Sequence, residues 1–130
     1  MFSEPELTRL FQNNQSRKDE MDKVPAAKLF IPGTGCAWLI TELNRYNQSK
    51  GSGLIDLGNN NVTFGEIDID EIVSFAVGQA NHVRRDPYFI GKYPIRTYLS
   101  AAKAYGFIVE QDTLLAKWTP HRRSGPSPGS

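Results

Sequence analysis

The chain has 130 residues, 39% of them hydrophobic and 22% charged, the make-up of one globular domain rather than a disordered segment. Its 15 Lys and Arg residues oppose 14 Asp and Glu, a formal net charge of +1, so no global field draws it onto nucleic acid or an anionic membrane. The single cysteine, Cys36, excludes an internal disulfide and a cysteine-rich zinc site. Its place in the apolar run Cys36-Ala37-Trp38-Leu39-Ile40 marks it as a small buried hydrophobe. The acidic opening Met1-Phe2-Ser3-Glu4-Pro5-Glu6 lacks the apolar core of a signal peptide, and no apolar run approaches the ~20 residues that cross a bilayer. The expectation is a cytoplasmic protein.

Ser3 is placed to cap a helix over about Glu4 to Asn13, with Pro5 and Glu6 in its first turn. Leu7, Leu10 and Phe11 give that helix one apolar stripe. The polar stretch from Gln15 to Lys23 follows as a solvated connector. Ala27 to Ile31 is a short strand closed by the turn formers Pro32-Gly33-Thr34-Gly35. The clearest strand is Ala37 to Leu43, whose alternation sets Trp38, Ile40 and Glu42 on one face and Ala37, Leu39, Thr41 and Leu43 on the other. A polar hairpin loop from Asn44 to Gly53 leads to a strand ending at Leu57. The turn Gly58-Asn59-Asn60-Asn61 then leads to a strand from Val62 to Ile67, completing an antiparallel meander.

Asp68, with Glu71 three residues later, has the spacing of a helix cap. Ile69, Ile72, Val73 and Ala76 form that helix's apolar stripe, and Gly78 ends it. Asn81 to Asp86 is a basic loop, and Pro87 to Ile90 is extended. Pro94 opens a further helix carrying Ile95, Tyr98, Leu99 and Ala102, which Gly106 stops. Phe107-Ile108-Val109 is expected as an edge strand. Ser124 to Ser130, all Gly, Pro and Ser, has the look of a vector-derived tail.

These segments resemble an uncharacterised bacterial domain family common on conjugative plasmids and integrative mobile elements. The resemblance is carried by Val24-Pro25-Ala26-Ala27-Lys28-Leu29-Phe30-Ile31-Pro32, by Ala37-Trp38-Leu39-Ile40-Thr41-Glu42, by Gly53-Leu54-Ile55-Asp56-Leu57-Gly58, by Phe64 to Ile72, and by Val83-Arg84-Arg85-Asp86-Pro87-Tyr88-Phe89. Leu10-Phe11-Gln12-Asn13-Asn14 adds a further echo. The resemblance implies a genetic setting and supplies no reaction, no cofactor and no catalytic residue. Glu66 and the run Asp68-Ile69-Asp70-Glu71 are more acidic than the family pattern.

No sequence feature calls for a cofactor or a metal. His82 and His121 each lack a second histidine at ligand spacing. Gly33-Thr34-Gly35 and Gly51-Ser52-Gly53 lack the length and the following Lys of a phosphate loop, and suit turns. The carboxylates Asp56, Glu66, Asp68, Asp70 and Glu71 suit a divalent cation through oxygen ligands, but a helix N-terminus accounts for Asp68, Asp70 and Glu71 equally well. Two candidate surfaces follow. One is basic and aromatic, with Arg84, Arg85, Tyr88, Lys92, Arg96 and Lys103, a composition suited to phosphates and unstacked bases. The other is the acidic patch Glu66, Asp68, Asp70 and Glu71, which would steer a protein partner.

The expected architecture is α+β: an antiparallel sheet of about four strands with two helices packed on one face and an accessory N-terminal helix. Residues 1–23 form the helix and connector, 24–114 the core, and 115–130 a flexible tail. The expected function is non-enzymatic binding of a host or element protein, with counter-defence against a restriction or CRISPR system as a specific case. Nucleic-acid binding in plasmid maintenance or transfer is the alternative. A small-molecule enzyme with a pocket near Trp38, Tyr88 and Glu42 is a third.

Overall fold

A computed structural model describes residues 1–119; the Ser124 to Ser130 tail and His121 lie outside the described residues. Strands β1 (Ala27–Phe30), β2 (Cys36–Asn44), β3 (Asn47–Leu57), β4 (Thr63–Asp68) and β5 (Arg84–Arg85) form one sheet. Every pairing is antiparallel, and the order across the sheet is β4-β3-β2-β1-β5. Helices α1 (Glu4–Gln15), α2 (Ile69–Gly78), α3 (Ile95–Tyr105) and the single turn α4 (Asp112–Leu115) surround it. The fold is α+β, as the sequence indicates, with β5 as an additional strand.

The helices, however, divide between the two faces of the sheet. Leu29, Trp38, Ile40 and Ile67 pack with Leu10 of α1 and with Ile72 and Ala76 of α2. Leu39 and Leu54 pack on the opposite side with Ile95, Tyr98, Ala101 and Ala102 of α3 and Leu115 of α4. The expectation that α2 and α3 share a face is therefore corrected. β2 and β3 carry apolar residues on both sides, and each side requires its own cover. Nor is α1 an accessory, because Leu10 is 0% exposed. Its fully buried side chain contributes about 1.5–3 kcal/mol relative to exposure.

A bulge explains a second correction. β2 pairs Ile40 with Gly53 and then Glu42 with Ser52, leaving Thr41 as the extra residue. The alternation shifts there, so Leu43 joins the Trp38 and Ile40 cluster instead of the Leu39 side. The expected loop from Asn44 to Gly53 is mostly strand, with β3 beginning at Asn47. Its glycines serve close approach rather than a turn. A Cβ on Gly51 would come within 2.0 Å of the Glu42 carbonyl oxygen, and one on Gly53 within 2.1 Å of that of Leu39.

The expected strand Phe107-Ile108-Val109 is irregular. The Ile108 N–H donates to buried Asp56 at 3.1 Å instead of joining a ladder. The expected caps of α1 and α3 hold, whereas α2 runs through Gly78 to a cap at Gln79. Ser3 and Glu6 form a reciprocal capping box on α1, and Gly106, at φ 88°, closes α3 in the left-handed region.

Candidate binding surfaces

β4 runs directly into α2, and Asp68 makes the junction. Its carboxylate accepts the backbone N–H groups of Asp70 at 3.0 Å and Glu71 at 3.4 Å, ending the strand and capping the helix. Lys50 Nζ donates to the second carboxylate oxygen at 2.6 Å, and the Ser49 hydroxyl donates to the first. These hydrogen bonds, that of Lys50 foremost, pull the Asp68 carboxyl from 3.8 down to about 2. The Lys50 ammonium is in turn pushed above its ordinary range by Asp68, with smaller contributions from Glu71 and Glu66. The acidic residues singled out in the sequence thus gather at one corner. Glu66, Asp70 and Glu71 are exposed, and among the described residues only Asp68 of the four makes an ion pair. Four carboxylates against the one Lys50 ammonium leave three negative charges.

Beside this corner a cleft of about 190 Å³ separates α2 from the sheet, lined by Trp38, Ile55, Leu57, Ile67, Glu71 and Phe75 among others. Phe75 stands edge-on to Trp38 with ring centroids 6.3 Å apart. Sequence reasoning missed this surface. α2 buries Ile72 and Ala76, while Val73, Phe75 and Val77 remain exposed, Val77 by 62%. Val73 thus leaves the stripe expected for it. The available signal was that α2 carries more apolar residues than one buried face can use.

Gly65 of β4 is the second unexpected feature. A Cβ there would meet only the Ile55 side chain, at 3.8 Å, an ordinary contact, and its φ is not positive. Neither packing nor backbone conformation requires glycine. β4 is also the last strand of the sheet. Among the described residues, nothing beyond β3 hydrogen-bonds the backbone of Thr63 to Ile67.

The basic-aromatic segment is dispersed. Successive strand residues point to opposite faces, so β5 separates Arg84 from Arg85. Arg85 Nε donates to the buried Glu6 carboxylate at 2.7 Å, tying β5 to α1. Arg96 donates twice to Asp22, at 2.8 and 3.1 Å, and Lys92 reaches Asp112 at 3.2 Å. Arg84 and Lys103 are exposed and make no ion pair among the described residues. Tyr88 is 88% exposed, whereas its neighbour Phe89 is buried against Tyr98.

Residues 1–109 match the family model described as a protein of unknown function, DUF2958. The chain belongs to the DUF2958 family. No curated protein and no solved structure matches it. The matched span contains α1, the whole sheet, α2 and α3, so the two-faced sheet with its helices is the DUF2958 unit, and α4 lies beyond it.

Within this DUF2958 chain, Trp38, Tyr88 and Glu42 do not form one pocket. Trp38 lines the α2 cleft, and Tyr88 stands in solvent. Glu42 is buried in an ion pair with Lys23 at 3.2 Å and accepts the Asn14 side-chain N–H at 2.9 Å. Asn13 donates alongside to the carbonyl oxygens of Val24 and Thr41. This polar network fastens α1 to β2. Cys36 is buried, as its apolar setting indicates. Among the described residues no group of three or more His, Cys, Asp and Glu side chains is placed to hold a metal ion. No described helix is long and apolar enough to cross a membrane.

Proposed function

We propose that this DUF2958 domain is a non-catalytic accessory protein that works by binding another protein through the α2–β4 corner. The observation that carries the reading is the cleft between α2 and the sheet, where Leu57 and Phe75 stand exposed beside Glu66 and Glu71, which make no ion pair among the described residues. An apolar patch rimmed by charge is the usual form of a protein contact site. The genetic setting implied by the sequence resemblance makes the domain an accessory of a mobile element. Inhibition of a host restriction or CRISPR component is the specific case this reading favours.

A photo-crosslinking side chain at Leu57, exposed at the cleft and introduced in the cell that carries the protein, tests the assignment. The expected result is one dominant protein adduct that survives nuclease, is competed by untagged protein and weakens in Glu71→Lys. Adducts that Glu71→Lys leaves unchanged, or none at all, would refute it. Nucleic-acid binding is the second reading, favoured by exposed Tyr88 and unpaired Arg84. It requires a salt-dependent affinity that falls in Arg84→Ala and Tyr88→Ala. The pairing of Arg85, Lys92 and Arg96 with acids leaves it fewer free cations.

A further inference from the structure

We propose that β4 accepts an extended segment of a partner protein as an added antiparallel or parallel strand, and that this segment combines apolar residues with Lys or Arg. The inference rests on the reading of the α2–β4 corner as the contact face and specifies what that face recognises.

Three observations converge on this mode. β4 closes one side of the sheet, and its outward backbone groups meet no protein partner among the described residues, which is the template for strand addition. Gly65, in the middle of that strand, has room for a side chain and lacks one. A strand glycine marks a bulge, a bend or a close approach by another group, and β4 pairs with β3 without a register shift. Finally, the cleft over Ile55 and Leu57 opens beside this strand. Its volume of about 190 Å³ falls below the ~300 Å³ at which small-molecule pockets begin and suits side chains projecting from a bound strand.

Charge selects the occupant. Glu66, Asp70 and Glu71 leave the corner negative, so nucleic acid is repelled. A second copy offering its own β4 would bring like charges together. A cationic, apolar strand satisfies both the cleft and its rim.

The test uses the full chain, isotope-labelled for NMR, and a short capped synthetic peptide of alternating valine and lysine. A valine–glutamate peptide is the control. The expected result is that the lysine peptide shifts amides of Thr63 to Asp68 and Glu71 to Phe75, slows hydrogen exchange along β4, and binds more weakly as salt rises. Gly65→Val adds a side chain against Ile55, where the partner strand would approach, and should reduce affinity at least tenfold while leaving the melting temperature unchanged or higher. Glu66→Lys with Glu71→Lys should do the same through charge.

No binding, equal binding of the glutamate peptide, unchanged affinity in Gly65→Val, or a concentration-dependent dimer through β4 would each overturn the proposal. If the Leu57 crosslink captures a protein while the lysine peptide fails, strand addition is wrong and the contact face stands. Peptide binding without any crosslink would instead count against the partner reading alone.

Discussion

Replacing Glu42 by Gln keeps the size of the side chain and removes its charge, which isolates the contribution of the buried ion pair. The Lys23 and Glu42 side chains are only 6% and 10% exposed, with nitrogen and oxygen 3.2 Å apart. An ammonium left there without a counter-charge costs about 3–5 kcal/mol, because its solvation is not recovered. Against a total stability of roughly 5–15 kcal/mol, that is about a fifth of the margin or more. It corresponds to a melting temperature lower by roughly 10–20 °C in a chain of this size. Lys23→Met strands the carboxylate but leaves it the Asn14 hydrogen bond, so its cost should be smaller. The double variant buries no charge and should lie within about 1–2 kcal/mol of the native protein. Urea unfolding followed by circular dichroism, carried through all four members of the cycle, measures the coupling. Costs that simply add, or a Glu42→Gln change below about 1 kcal/mol, would show that water reaches the pair and that it does not hold the connector to β2.

Three other outcomes are accessible to the same measurements. Thr97 is fully buried in α3 and its hydroxyl has no hydrogen-bond partner among the described residues, so Thr97→Val should raise stability by about 1 kcal/mol in urea titration. Gly53→Ala should destabilise by about 3 kcal/mol or more, since its Cβ would meet the Leu39 carbonyl oxygen at 2.1 Å and the Ile67 side chain at 2.9 Å; a mild effect would mean that the β2–β3 spacing is adjustable. The Asp68 carboxyl is held at about 2, below its ordinary 3.8. Its contribution is therefore complete above the ordinary value and lost as pH falls through the folded one. Asp68→Asn should flatten the acid limb of the stability profile between those two values, as read from urea midpoints at stepped pH.

The features legible in the sequence are those decided within one turn of chain. Ser3 with Glu6, Asp68 with the N–H groups after it, and Pro94 with Gly106 are read correctly because a cap involves only its own neighbours. The faces of the helices are not local. α2 and α3 carry similar stripes, and only the two-sided apolar character of β2 and β3, assembled across the sheet, sends them to opposite sides. Glycine misleads for the same reason. Gly51 and Gly53 suit a turn in sequence, yet they are needed because β2 passes close by. The bulge at Thr41 is invisible to a period-two pattern, and it moves Leu43 across the sheet. Arg84 and Arg85 form one patch in sequence and two faces in space, because a strand of two residues has no periodicity to announce itself. The acidic corner was legible, since β4 continues into α2 without a loop. Its apolar neighbour was not, because Trp38, Ile55 and Phe75 come from three separate elements.

The distribution of ion pairs separates surface that holds the fold from surface left free. Arg85 with Glu6 binds β5 to α1, Lys23 with Glu42 binds the connector to β2, and Lys28 pairs with Glu110 and Asp86. Arg96 with Asp22 fastens α3 to the same connector, and Lys92 with Asp112 joins the segment before α3 to α4. On that side most cations singled out by the sequence have an acid on another element, and their role is accounted for by the fold. At the α2–β4 corner the accounting fails in the opposite sense. One ammonium, Lys50, serves Asp68, Glu71 and Glu66, Leu57 and Phe75 stand exposed at the cleft, and the outer edge of glycine-bearing β4 meets no backbone partner among the described residues. Each of these is tolerable alone at a protein surface. Their coincidence within one corner has no explanation in the stability of the domain, and a cationic, apolar partner strand answers all three at once.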